Sequence, residues 1–247
     1  MALVLENGVW KLQAAPPSGP STTIYSADGT SVTLGTVDGD GYRTVAGGGL
    51  PLGTKIFDPD SQCSIVSNNG AGRFELTIAS NVTTANYSPF NSNWYTGGPA
   101  LIFPGSVKDD TFIEVEDLQP STPDTNDRIS VCALNIDAGA GQRRIAQGCE
   151  LYQSATPANS RSHVRDFYRV STQLTVQTLT LVTFPTRLKI RCEADESVTP
   201  INPEIVTNIN GGPDIGHDWN IAGGANYAIG FAGFAATYYF GNIALRV

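Results

Sequence analysis

The chain has 247 residues, of which 40% are hydrophobic and 9% aromatic, enough to build a core. Charged residues make up 15%, against roughly 25% in an average globular protein, and 26 glycines with 15 prolines imply many turns between short strands. A formal charge of −8 excludes non-specific binding to nucleic acid or an anionic membrane, and no run approaches the ~20 apolar residues of a transmembrane helix.

Residues 1–50 read as short β-hairpins. The opening MALVLENGVWKL has no basic stretch before its four apolar residues, so no secretory signal is expected and the chain is expected to be made without export. Val4, Val9, Trp10 and Leu12 start the pattern and Pro16-Pro17-Ser18-Gly19-Pro20 interrupts it. Thr23-Ile24-Tyr25, Ser31 to Leu34 and Tyr42 to Val45 then alternate between turns at Asp28-Gly29, Asp38-Gly39 and Asp40-Gly41. Asp-Gly between alternating apolar residues is a hairpin signal, because glycine supplies the positive φ of a type I′ turn. Asp38 to Gly41 also has the composition that opens a calcium loop. It lacks the third ligand and the downstream glutamate of an EF-hand, so it reads as a pair of turns. Gly47-Gly48-Gly49 reads as a hinge or linker. The expected organisation is a small docking module over residues 1–50 and a larger β-domain over residues 51–247.

Beyond Cys63 the strands lengthen. Phe74, Leu76 and Ile78 alternate inward, and Pro99 to Phe103 is apolar on both faces, as a central strand is. Asp109-Asp110 turns the chain into Thr111 to Glu116. Strands are expected over 128–136, 165–170, 173–184 and 186–192. Residues 193–225 are rich in Pro, Gly and Asn and read as a long loop, of the kind that carries function or a partner-binding excursion. The end of the chain, Asn226 to Val247, alternates Tyr227, Ile229 and Phe231 with small residues. It then runs through Thr237-Tyr238-Tyr239-Phe240 and Ile243 to Val247. Three glycines in those 22 residues argue against a helix, each costing roughly 1 kcal/mol there. This stretch is expected to close the domain as paired strands. The fold class is all-β.

The hairpin GPALIF…DDTFIEVE, the strand Arg187-Leu188-Lys189-Ile190-Arg191 and the closing pair YAIGFAGF…YYFGNIALRV together resemble concanavalin A-like lectin/glucanase domains of the laminin-G-like type. The resemblance covers about residues 65–247 and implies an antiparallel β-sandwich, a jelly roll of two stacked sheets. It is a pattern of strands and not a catalytic signature.

Glycosidases on this fold use paired carboxylates, and a retaining pair stands about 5–5.5 Å apart. Laminarinase-type members show E-x-D-x-(x)-E. Here Glu114 and Glu116 alternate, but the next same-face position is Leu118, so the third carboxylate is missing and the pair reads as a solvated face. His163 and His217 are the two histidines, and neither lies in a nucleophile-elbow context. No catalytic residue, cofactor or metal site is expected. The four cysteines (Cys63, Cys132, Cys149 and Cys192) permit three pairings and show no zinc spacing; Cys132 and Cys192 read as buried thiols. Arg143, Arg144, Arg161, Arg165 and Arg169 form an Arg-rich stretch, read as solvated surface with a docking patch as the alternative.

Sugar recognition stacks flat apolar faces on aromatic rings while amides and carboxylates take the hydroxyls. Asn93-Trp94-Tyr95 and His217-Asp218-Trp219 have that composition and are the candidate carbohydrate-binding residues. Core plugs at the sandwich ends are the alternative for Trp94 and Trp219. Two functions follow as expectations. One is a non-catalytic assembly protein of a virus or phage particle, self-associating or joined to other virion proteins. The MALVLENG opening is similar to the starts of phage structural proteins. The other is a lectin-like glycan-binding module, with polysaccharide hydrolysis as the least favoured alternative.

Overall fold

A computed structural model describes residues 2–6, 9–13, 21–79, 99–122, 128–135, 145–152, 161–168, 172–180, 182–195, 202–218, 224–232 and 236–247. They form strands, with one 3-10 turn at Asn69–Ala71 and no α-helix among them. Strands β1 (Ala2–Glu6) and β2 (Val9–Gln13) pair with each other as a two-stranded sheet. The other eighteen strands make two sheets of nine.

Sheet I contains β3 (Thr22–Tyr25), β7 (Cys63–Asn68), β8 (Arg73–Ile78), β10 (Thr111–Pro120), β15 (Thr186–Asp195), β16 (Asn202–Ile209), β17 (Ile215–Asp218), β19 (Thr237–Phe240) and β20 (Ile243–Arg246). Sheet II contains β4 (Val32–Leu34), β5 (Tyr42–Gly47), β6 (Lys55–Phe57), β9 (Ala100–Ile102), β11 (Arg128–Asn135), β12 (Ile145–Tyr152), β13 (Arg161–Tyr168), β14 (Thr172–Thr180) and β18 (Asn226–Ala232). Sheet II runs in the order β14-β13-β12-β11-β18-β9-β6-β5-β4, and every pairing along it is antiparallel.

Period-two alternation builds the core between the sheets. On β10, Ile113, Val115 and Leu118 point inward and are fully buried. The extra residue between Val115 and Leu118 is absorbed as a bulge, with Asp117 at φ 52°, which restores the inward phase for Leu118. The C-terminal stretch ties the sheets together. β18 lies between β9 and β11 in sheet II, while β20 lies between β10 and β3 in sheet I. Across the interface Phe231 meets Tyr238 at 5.3 Å and Phe240 at 6.0 Å between ring centroids, and Phe240 stacks on Phe74 at 5.2 Å. Such pairs contribute beyond their buried area by roughly 0.5–1.5 kcal/mol each. The expected closing role of this segment is met.

Three expectations need correction. First, Gly47-Gly48-Gly49 is a packed turn and not a hinge. A Cβ on Gly47 would stand 2.2 Å from the Ser31 carbonyl oxygen, and one on Gly49 2.0 Å from that of Ser26. The Ser67 hydroxyl accepts from the Asp28 and Gly29 amides (2.9 and 3.1 Å) and donates to the Gly48 carbonyl at 2.8 Å.

Second, sheet pairing does not divide at residue 50. β3 extends sheet I beside β20, and β5 pairs β6 in sheet II. The Arg43 guanidinium reaches across that point to the buried Asp58 at 2.7 Å, and Asp58 also accepts from the Gln62 and Cys63 amides. Hairpins this small need a larger sheet to be stable, and residues 22–47 find it in the sandwich.

Third, residues 193–225 are not one loop. β16 and β17 form a hairpin at the edge of sheet I, turned by Asn210-Gly211 with φ 53° and 72° and closed by the Gly212 amide on the Ile209 carbonyl at 2.9 Å. Two successive positive φ values are what Asn-Gly supplies to a type I′ turn. The Asp38 turn matches its expectation: Asp38 Oδ1 accepts from the Asp40 and Tyr42 amides at 3.0 and 2.8 Å.

Candidate functional site

Asn93, Trp94, Tyr95 and Trp219 lie outside the described residues. His217 and Asp218 lie on β17, the edge strand of sheet I, in register with Ile205 and Glu204. The two expected clusters therefore cannot be joined into one site from the described residues.

Glu114 and Glu116 lie on the outward face of sheet I, each with its own structural task. Glu114 faces Arg187 and Lys189 at 3.5 and 3.9 Å. Glu116 accepts from the Asn242 side-chain amide at 2.8 Å, beside the backbone bonds that join it to Asn242 and Gly241. The rest of this face is also charge-balanced. Arg191 is held by Glu193 and by Asp214, Arg246 by Asp110, and Arg73 by Glu75. Lys189 sits 4.1 Å from the centroid of the Phe112 ring and Arg73 3.7 Å from that of Tyr239. Hydrogen bonds from Arg191 and then Asn208 hold the Asp214 carboxyl down at about 2.

The outward face of sheet II is different. On its central strands, Ile129, Val131, Ala133, Cys149, Leu151, Tyr227, Ile229 and Phe231 belong to the core between the sheets. The alternate positions point away from that core, and an ordinary antiparallel sheet exposes them to water. Here they are buried and mostly small: Ala100, Ser130, Cys132, Gly148, Ala228 and Gly230. Two register rows cross the strands. One runs Ala100–Gly230–Ser130–Glu150–His163 and the other Ile102–Ala228–Cys132–Gly148–Arg165. Gly148 is required by the approach of β12 to β11, since a Cβ there would stand 2.2 Å from the Val131 oxygen and 2.6 Å from Cys132 Cα.

In β9, β11, β12 and β18 the sequence places two charges, Arg128 and Glu150. They meet at 3.0 Å, with Glu150 fully buried and Arg128 half-buried. Desolvating a carboxylate costs several kcal/mol, offset here by the guanidinium. The result is a shielded floor of small side chains with one fixed polar pair.

No strand was expected over 145–152. Ala146-Gln147-Gly148-Cys149 shows no run of β-branched or aromatic residues, and its glycine, the residue that permits the close pairing, weakens the local signal. The signal that could have found the site is the pair of isolated charges in otherwise uncharged strands.

All four cysteines are buried thiols outside any disulfide, which agrees with the reading of Cys132 and Cys192 as thiols. Burial pushes Cys132 up to about 12 and Cys192 up to about 11, so neither carries nucleophilic chemistry near neutrality. Among the described residues no three His, Cys, Asp or Glu side chains gather as a metal ion requires, and no helix is long and apolar enough to cross a membrane.

No family model matches the chain, and no curated protein sequence matches it. Solved structures do. A prokaryotic β-1,3-1,4-glucanase (lichenase) derived from a mouse hindgut metagenome matches with a TM-score of 0.52 at 10% identity, covering 92% of this chain and 99% of that one. The Bacillus licheniformis β-glucanase gives 0.51 at 9%, covering 94% and 100%. The κ-carrageenase from Pseudoalteromonas carrageenovora, solved with an oligotetrasaccharide of κ-carrageenan, gives 0.51 at 11%, covering 95% and 99%. At such identities the likeness concerns the fold, and it is the one the strand pattern implied: the chain is an antiparallel β-sandwich with the concanavalin A-like jelly-roll fold of lectin and glucanase domains.

Proposed function

We propose that the protein is a glycan-binding module that holds saccharide on the outward face of sheet II. The observation that carries this reading is the floor itself, small buried side chains around the Arg128–Glu150 pair, on the face where this sheet would otherwise meet water. A fixed guanidinium–carboxylate pair offers donors and acceptors to hydroxyls, and small residues give a sugar ring a flat seat once whatever shields this face is displaced. The likeness to two glucanases and a carrageenase supports the ligand class.

The fold does not by itself separate binding from hydrolysis, since those likenesses are enzymes. Retaining hydrolysis needs a second carboxylate about 5–5.5 Å away, and β9, β11, β12 and β18 contain Glu150 as their one acid. The proposed role is binding without turnover. A glycan array followed by calorimetry tests it. Glu150→Gln is expected to weaken any bound glycan about tenfold, while Glu114→Gln on the opposite face leaves affinity unchanged. An empty array, or reducing ends released from a polysaccharide panel and lost in Glu150→Gln, would overturn it.

A second reading, assembly, is favoured by the β1–β2 hairpin, whose described backbone pairs within itself alone. An isolated two-stranded hairpin is marginal in water. On this reading the docking role expected of residues 1–50 narrows to residues 1–13, which seat on another copy of the chain or on a neighbouring protein, with a virus or phage particle as the setting. Light scattering of the chain with and without residues 1–20 tests it. Loss of a discrete oligomer with an unchanged melting temperature supports the reading, and an unchanged mass overturns it.

A further inference from the structure

We infer that sheet I continues into a second copy of this chain through the edge of β3, a surface separate from both the sheet II floor and the β1–β2 hairpin. Sheet I has three margins, β17, β3 and β7. A sheet edge offers unpaired N–H and C=O groups to any extended chain, and proteins blunt it with charges, prolines, bulges or a covering segment. Two of the margins are treated in this way. β17 contains Gly216 and ends on the charged Asp218. β7 is tied at one end by its Cys63 amide to Asp58, and at the other the Asp28 and Gly29 amides cross to Ser67 at 2.9 and 3.1 Å. β3, Thr22-Thr23-Ile24-Tyr25, has no charge, proline or bulge. Among the described residues its one strand partner is β20, and Ile24 is 66% exposed.

The direction of the free groups follows from the ladder. The Glu116 amide donates to the Asn242 carbonyl at 3.0 Å, so Asn242 faces β10. Along an antiparallel strand the facing alternates residue by residue. Ala244 and Arg246 therefore also face β10, while Ile243 and Leu245 face β3, where their partners are Tyr25 and Thr23. Thr22 and Ile24 are left with their N–H and C=O groups on the open side. That set is self-complementary. Two copies of β3 paired antiparallel about a two-fold axis place Thr22 of each against Ile24 of the other and close four backbone hydrogen bonds, with Thr23 opposite its counterpart on the axis. Opposed residues share a face, and Thr22 and Ile24 lie on one face, in the rows of Arg246 and Ala244. This register carries the sheet across the seam, whereas a slip of one residue would turn it over.

Charge selects the occupant. The chain carries −8, so two copies repel over most of their surfaces. At this seam neither brings a charge: Ser21 to Ala27 is uncharged, and Arg246, in the row of Thr22, is held by Asp110 of its own chain. A pairing of one patch with itself closes as a dimer and leaves no further β3 edge exposed.

The test is sedimentation of the full chain over about 1 to 300 μM, a range that brackets a weak dimer, with cross-linking beside it. A reversible doubling of mass is expected. Ile24→Lys puts an edge lysine at a residue already exposed. It is expected to weaken dimerisation by about tenfold with an unchanged melting temperature. Thr23→Cys sets two sulfurs across the axis, where partners outside the hydrogen-bonded pairs have Cα atoms about 4.5 Å apart, within disulfide reach. Mild oxidation is expected to convert that variant to a covalent dimer. Leu52→Cys, 93% exposed elsewhere, and the parent chain with its four buried thiols are expected to stay uncross-linked. Removing residues 1–20 is expected to leave the dimer in place, which separates this seam from docking by the β1–β2 hairpin. A monomer at every concentration, a dimer indifferent to Ile24→Lys, a Thr23→Cys chain that does not cross-link, or a folded truncation that is monomeric overturns the inference.

Discussion

Glu114 and Glu150 are the same side chain in the same kind of strand, each facing an arginine. On sheet I, Glu114 stands 3.5 Å from Arg187 with 23% of its side chain exposed and a lysine beside it. On sheet II, Glu150 meets Arg128 at 3.0 Å with 2% exposed. The first pair remains hydrated, and a pair of that kind contributes about 0–1 kcal/mol. The second has lost its water, and a buried pair of this sort is weak evidence for stability because apolar residues often do as well. A charge retained at such a cost is the feature on which the glycan-binding proposal rests.

The largest expected effect breaks the close pairing beneath that face. Gly148→Val would drive a side chain into the β11 backbone. We expect a loss above about 3 kcal/mol, read as a fall in the urea midpoint or as insoluble protein. Its counterpart on sheet I, Gly216→Ala, meets the flexible end of Glu204 at 2.6 Å and is expected to cost no more than about 1 kcal/mol. Equal losses would erase the contrast between the two faces.

Next comes removal of the carboxylates themselves. Glu150→Ala leaves a half-buried arginine without its partner and is expected to cost about 3 kcal/mol, the low end for a broken buried pair. Glu114→Ala is expected to stay within about 1 kcal/mol. Urea denaturation of both variants at one pH decides, and an indifferent Glu150→Ala would mean that the pair is hydrated after all.

The smallest effect sharpens the picture of the sheet I face. The folded Asp214 carboxyl titrates at about 2, below the ~3.9 of an unfolded chain. Its contribution is therefore complete above about pH 4 and is lost as pH falls through about 2. Asp214→Asn should lower the melting temperature slightly at pH 7, and the difference should close in acid. A difference that persists unchanged at pH 2 would assign the effect to packing instead.

Much of the fold was legible in the residues. The alternation of Phe74, Leu76 and Ile78, of Ile113 and Val115, and of Tyr227, Ile229 and Phe231 marked inward faces that the core bears out. Asn210-Gly211 carries a hairpin-turn signal that the long-loop reading of 193–225 passed over. It was obscured by the polar residues around it, on an edge hairpin where Asn208 and Asp214 face outward and bond each other. The boundary near residue 50 failed for another reason. Glycine permits a hinge and a tight packed turn alike, and the neighbours Ser26, Ser31 and Ser67 decide between them.

The sequence alone determined the strands and which of their faces turn inward, because period-two alternation is a local property of each segment. Only the tertiary structure decided that the outward face of sheet II is shielded and that Arg128 finds Glu150 across 22 residues. Those are matters of register between distant segments, and register is set by the pairing of whole strands, which no short window of residues contains.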